Sequence, residues 1–344
     1  MKAHPEREGF SRAKRLLTLI VIAALMLGQS SPALAYLKFG VPVRGQQVTL
    51  KWSQTPRYFV SNTGVAGVSA TDFQSAVARA FATWTAVPTA SITYQFAGVT
   101  SASPGADDGA SVLGFQSRPD LDRVLASTNF LVDSTTGALI ESDIFFNSAF
   151  PWSVSANGEP GKFDVESIAL HEIGHFSGLG HSALGETELL STGGRRVLSA
   201  ESVMFPIAFA AGSIASRTLK ADDIAGISDL YPDGNFATVD GSLSGRVTKD
   251  GQPTFGAHVV AFNVATGLMV GGFTLNAQGQ FSIGGLSPGP HIVRVEPLDD
   301  ADTTSFFDAA QNVDVDFRVA YLDRVIVVPR GGDSGSVTLT VVRK

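Results

Sequence analysis

Apolar and polar positions change their period several times along the chain, and each change predicts an element. Val48 to Trp52 alternates, the period of a half-buried strand. Phe73, Val77, Phe81 and Trp84 recur at three- and four-residue steps, which predicts a helix over Ser69–Trp84. Ser69, Thr71 or Asp72 is available as its N-cap. Ile92–Phe96 and Val112–Phe115 read as further strands. Asn129–Val132 and Ala138–Ile140 flank Asp133-Ser-Thr-Thr-Gly137, a hairpin or tight connection, and Asp143–Phe146 continues the second arm. Asp164 is placed to cap a second helix that turns Val165, Ile168, Ala169 and Ile173 toward the core. A third helix runs from Leu219 to Tyr231 and is stopped by Pro232-Asp-Gly234.

Beyond Gly234 the texture changes to short strands separated by Gly, Pro and Asn: 243–247, 258–262, 281–283, 291–295, 324–328 and 337–342. Turn signals every 8–12 residues are the mark of a β-sandwich. The chain is therefore expected to be α+β in its first part and all-β in its second, with Pro232–Asn235 as a linker between separable domains.

The first residues read as a leader rather than as fold. Lys2, Arg7, Arg12, Lys14 and Arg15 precede the apolar run Leu16–Leu27, and Ala33-Leu-Ala35 supplies small residues for cleavage. An uncleaved membrane anchor is the alternative, but a run of twelve residues falls short of the roughly 20 that span a bilayer. Residues 1–35 are thus expected to be a signal peptide, 36–234 the first domain and 238–344 the sandwich. The expected location is secreted or extracellular, or periplasmic or cell-surface in a bacterium, with no membrane span after cleavage. The full chain carries 25 Lys+Arg against 32 Asp+Glu; without the five basic and two acidic residues of the leader this becomes 20 against 30, a net charge of −10. That balance argues against a nucleic-acid partner. There is no cysteine, so neither a disulfide nor a thiolate ligand is available.

Only six histidines occur, and three of them fall within His171-Glu-Ile-Gly-His175-Phe-Ser-Gly178-Leu-Gly-His181. On a helix, His171 and His175 lie a turn apart on one face, where two imidazoles can take two corners of a metal tetrahedron. Gly178 can adopt the left-handed conformation that ends a helix and returns the chain, which would bring His181 to a third corner. Three protein ligands leave a fourth position for water, the mark of a catalytic zinc. Incidental surface histidines are the plainer alternative, but the extended signature is specific. Glu172 points about 100° away from His171, beside the metal rather than on it.

At these residues the sequence resembles the metzincin metalloproteases, and within them the matrixins. Ser182 after the third histidine is the matrixin choice. Ser202-Val-Met204-Phe-Pro206 looks like the Met-turn, whose methionine floors the metal site. Residues 219–231 are similar to the closing helix of the family, and Phe81-Ala-Thr-Trp84 and Glu141–Asn147 match in style and order. The resemblance covers residues 46–232. It implies a mixed twisted sheet with an active-site helix and a C-terminal helix, and a secreted zinc endopeptidase acting on protein or peptide, expected as a monomer. One catalytic zinc would sit on His171, His175 and His181, with Glu172 as general base to the attacking water. An extended substrate would add to an edge strand at Asn129–Val132, so Phe130 and Leu131, with Pro206 and Ala208, are expected to bind it.

Departures from the family sharpen these expectations. Leu131, Val132, Ile144 and Phe145 stand where a second, structural zinc would be held, so that site is expected to be missing. The resemblance leaves calcium open through Asp107, Asp108, Asp133 or Asp143, with solvated loop carboxylates as the plainer reading. A cysteine switch is excluded by composition, and Ala208 replaces the tyrosine that often walls the specificity pocket. In the second half, Gly332-Asp-Ser-Gly335 imitates a serine-protease nucleophile segment but reads better as a turn, with His258 and His291 as ordinary strand residues. The strands there resemble the carboxypeptidase regulatory-like (transthyretin-like) sandwich. A rival reading is a non-catalytic surface or extracellular-matrix binding protein with an idle metalloprotease domain; the intact Glu172 argues against it.

Overall fold

The computed structural model describes residues 38–43, 46–191 and 193–344. The expected signal peptide, residues 1–35, lies outside them. Strands β1 (Gly40–Val43) and β2 (Gln46–Thr49) pair antiparallel. The main sheet holds β3 (Arg57–Ser61), β4 (Gln95–Thr100), β5 (Ser111–Gln116), β6 (Ala126–Val132) and β7 (Leu139–Asn147), in the order β4-β3-β5-β7-β6. Its pairings are parallel except for β6 on β7, which leaves β6 as an antiparallel edge strand. Between β3 and β4, helix α1 (Ala70–Thr85) buries Phe73, Val77, Phe81 and Trp84, the face its periodicity predicts. Of the three available caps, Ser69 is the one used: its hydroxyl accepts from the Asp72 N–H.

The two-residue strands β8 (Trp152–Ser153) and β9 (Phe163–Asp164) lead into helix α2 (Val165–Phe176), which packs on α1. Trp84 Nε1 donates to the Leu170 carbonyl at 2.8 Å, satisfying a buried indole while gripping α2. A hairpin of β10 (Gly185–Leu189) and β11 (Arg195–Ala200) follows, then α3 (Ala221–Leu230) and the short α4 (Phe236–Val239). One expected strand is displaced. Ile92–Phe96 pairs only from Gln95 onward, because Ile92 is buried in the core and Tyr94 turns to bond Ser177 and pack on Phe81.

The second part is a sandwich of β12 (Gly241–Lys249), β13 (Gln252–Pro253), β14 (His258–Asn263), β15 (Met269–Phe273), β16 (Gln280–Leu286), β17 (Gly289–Glu296), β18 (Ala320–Tyr321), β19 (Ile326–Val328) and β20 (Asp333–Val341). One sheet centres on β12, flanked by β13, β16 and a parallel β20; the other runs β15-β14-β17, with β18 and β19 both on β17. Leu243, Val259, Phe281, Val293 and Val337 fill the space between them. The molecule is thus α+β followed by all-β, as the patterning predicts.

The two parts share apolar surface. Ala225 of α3 belongs to the sandwich core, and Ala183 is buried with Phe273, Phe306 and Phe307. Asp222 of α3 accepts from the Gly271 N–H of β15 at 2.8 Å.

Candidate metal centre

Helix α2 is fixed at both ends. Asp164 caps it, accepting from the Ser167 N–H at 2.9 Å, and is itself gripped by two guanidinium nitrogens of Arg217. At the other end the Gly178 N–H bonds the His175 carbonyl and the Leu179 N–H bonds the Gly174 carbonyl, a Schellman closure. Gly178 takes φ +103°, and a Cβ there would run into the Leu50 carbonyl. Trp52 Nε1 and the Tyr231 hydroxyl cover the Phe176 and Ser177 carbonyls, so the last turn is satisfied.

This closure returns the chain so that three imidazoles face one another. Ring centroids of His171, His175 and His181 lie 4.7 to 5.3 Å apart. Each Nδ1 is tied to a backbone carbonyl: His171 to Val203 at 2.7 Å, His175 to Leu179 at 2.8 Å and His181 to Ser305 at 2.7 Å. A carbonyl only accepts, so each Nδ1 carries the proton and each Nε2 presents a bare lone pair. The ligand atoms lie within 4.8 Å of one another, with the Nε2 atoms of His175 and His181 3.1 Å apart. Burial, and then the neighbouring His181, hold His171 down at about 3; burial likewise lowers His175 and His181. Three neutral imidazoles with outward N–H groups anchored and inward lone pairs converging are the donor set of a tetrahedral metal with one position left over.

Glu172 is buried beside them. The Thr128 hydroxyl of β6 donates to its Oε2 at 2.6 Å, and burial, opposed by that bond, pushes its carboxyl up to about 7. Met204 packs against α2 at Gly174, where a Cβ would run into its sulfur. Asp223 of α3 pins this turn, accepting from the Ser202 hydroxyl and from the N–H groups of Val203, Met204 and Lys220.

A cleft of about 1120 Å³ opens over the centre. Pro206 and Ala208 line it, but Phe130 and Leu131 are not among its lining residues. Phe130 instead packs on Phe39, 5.1 Å between rings, beside the small cluster of Val41, Leu50 and Leu139. The part of β6 that faces the cleft is Ala126–Thr128, at its start. The four aspartates considered for calcium do not converge as a metal-holding group among the described residues. Asp143 is no solvated loop carboxylate: it is buried, accepting from the Val112 and Gly105 N–H groups, while Glu141 receives Asp108 and Gly109. In the sandwich, the Ser334 hydroxyl donates to the Ser242 carbonyl at 2.7 Å, while His258 pairs with Glu296 and His291 with the Gly289 carbonyl. No triad forms there.

Against this geometry, residues 51–232 match the matrixin family of peptidases, just over half of the 344 residues. The chain belongs to the matrixin family. Residues 242–320 match the carboxypeptidase regulatory-like domain. Metalloendoproteinase 1 of Glycine max is 30% identical over 175 residues, covering 46% of this chain and 45% of that protein, so the chain spans about half the length of this relative. Around the three histidines, sequence reasoning missed Thr128 and the three carbonyls of Val203, Leu179 and Ser305. Backbone acceptors have no side-chain signature, and Ser305 lies 124 residues from His181, in the other domain.

Proposed function

We propose that this matrixin is an exported zinc endopeptidase in which His171, His175 and His181 hold the metal and Glu172 is the general base. One observation carries the reading: three Nδ1 protons anchored on carbonyls, which aim three Nε2 lone pairs at one another. Zinc bound there would polarise a scissile carbonyl and lower the pKa of a water toward neutrality. Glu172, buried and held by Thr128, is set to take that water's proton and return it to the leaving amine. An extended peptide would lie along the free edge of β6 at Ala126–Thr128, with Pro206 and Ala208 beside it and Met204 flooring the centre. The reading assigns one metal, to the histidines, and no calcium to the aspartates, whose buried member Asp143 already receives two N–H groups. The leader motivates export, and among the described residues no helix is long and apolar enough to cross a membrane.

Purified protein should hold one zinc per chain after dialysis and cleave an unfolded protein until a chelator is added. Two stoichiometric zincs would contradict the single site. Zinc-loaded protein that leaves every unfolded substrate intact would favour an idle binder.

A further inference from the structure

Part of the cleft over the histidines comes from the sandwich. Asp302 and Thr304–Phe307, in the connection between β17 and β18, line it together with the matrixin residues. Several contacts seat this connection. The Ser305 carbonyl accepts from His181 Nδ1 at 2.7 Å. The Phe306 ring stands edge-on to His181, 6.5 Å between centroids, and is buried with Phe307 against Phe273, Leu298 and Ala183. One step earlier, Asp300 accepts from the Thr187 N–H through its carboxylate and from the Thr187 hydroxyl through its carbonyl, both at 2.7 Å. These two bonds tie the connection to the β10–β11 hairpin, which lines the same cleft through Leu189 and Arg195.

The acceptor on a ligating histidine's second nitrogen sets its tautomer and orientation. His171 and His175 find theirs inside the matrixin part; His181 finds its own across the domain boundary. We propose that the sandwich is a working part of this active site: Ser305 is a positioning residue that completes the third metal corner, and the Asp302–Phe307 connection is a wall that selects substrate side chains. Its base is apolar, Phe306 and Phe307, and its exposed lip carries Thr304 and the carboxylate of Asp302. Such a wall admits an apolar peptide side chain and disfavours an acidic one. The proposal reverses the expectation of independent domains and rests on the zinc reading above.

The test uses the full chain, with zinc affinity read by competition with a chromophoric chelator and side-chain preference read from a peptide library. Phe306→Ala, which frees the connection, should weaken zinc binding by roughly 10–100-fold, the loss typical of disturbing an outer partner, with the far-ultraviolet dichroism unchanged. Should that variant fail to fold, Asp300→Ala removes the carboxylate that holds the Thr187 N–H, loosens the same segment and should weaken zinc in the same direction. Thr304→Trp should keep zinc but shift cleavage toward smaller side chains. Zinc affinities within about twofold of wild type in the released variants would overturn the positioning role. A wild-type cleavage profile in Thr304→Trp would overturn the wall, and faster cleavage at unchanged zinc would make the connection a plug instead. Wild type that binds no zinc would reject the zinc reading itself, whereas zinc-loaded wild type matched by every variant would reject only this inference.

Discussion

At the scale of single residues, the site is defined by hydrogen-bond partners rather than by the histidines alone. His171, His175 and His181 were legible in the sequence because their spacing is rare and metal chemistry needs that residue type. Glu172 was legible from its place between them. Thr128 was not, since it lies just before the strand expected at Asn129–Val132, and only the fold brings its hydroxyl to Glu172 at 2.6 Å. A hydrogen bond to a charged group contributes about 1.5–3 kcal/mol. Thr128→Val should therefore lower kcat by about tenfold or more while zinc content stays at one per chain. Unchanged kcat would show that Glu172 is positioned by its surroundings without this bond.

At the scale of elements, α2 is where sequence and structure agree best. Asp164 as cap, the buried face of Val165, Ala169 and Ile173, and the stop at Gly178 are all readable, because each is a local rule. The β10–β11 hairpin was missed: Glu186, Glu188 and Arg195 alternate with few apolar residues, and Leu189 and Leu198 face solvent. Strand β15 was missed because Gly271 and Gly272 dilute its pattern, although the Gly271 N–H is what Asp222 binds. The substrate is expected at Asn129–Val132, yet the cleft is lined by Ala126–Thr128 and not by Phe130 or Leu131, since period alone does not say which part of an edge strand meets the cleft. The same element explains why residue 174 is glycine. Gly174→Ala would press a methyl into the Met204 sulfur and toward Trp84, so it should destabilise the fold by about 1–3 kcal/mol, the usual cost of overpacking. A urea midpoint equal to wild type would mean the Met-turn yields freely.

At the scale of the whole molecule, the sandwich and the matrixin part meet over buried polar groups as well as apolar ones. Burial, and then the neighbouring Asp223, push Asp222 from the ordinary 3.8 up to about 6. Between those values the folded state binds more protons than the unfolded one, so this group's contribution to stability falls as pH rises from about 4 to about 6 and stays low above. The span is worth roughly 3 kcal/mol. Asp222→Asn keeps an acceptor for the Gly271 N–H without the charge, so the gain in stability of the variant over wild type should grow across that window. A constant difference from pH 4 to 7 would show that burial does not raise the Asp222 carboxyl. The central claim is that metal binding and proton transfer are divided between different residues of one centre, and zinc content measured beside peptide-cleavage rate tests it most directly. Glu172→Ala should keep its zinc while cleavage falls by about 10²–10⁴-fold, whereas His175→Ala should lose zinc and cleavage together. A Glu172→Ala protein that cleaves at the wild-type rate, or a His175→Ala protein that keeps stoichiometric zinc, would contradict the account.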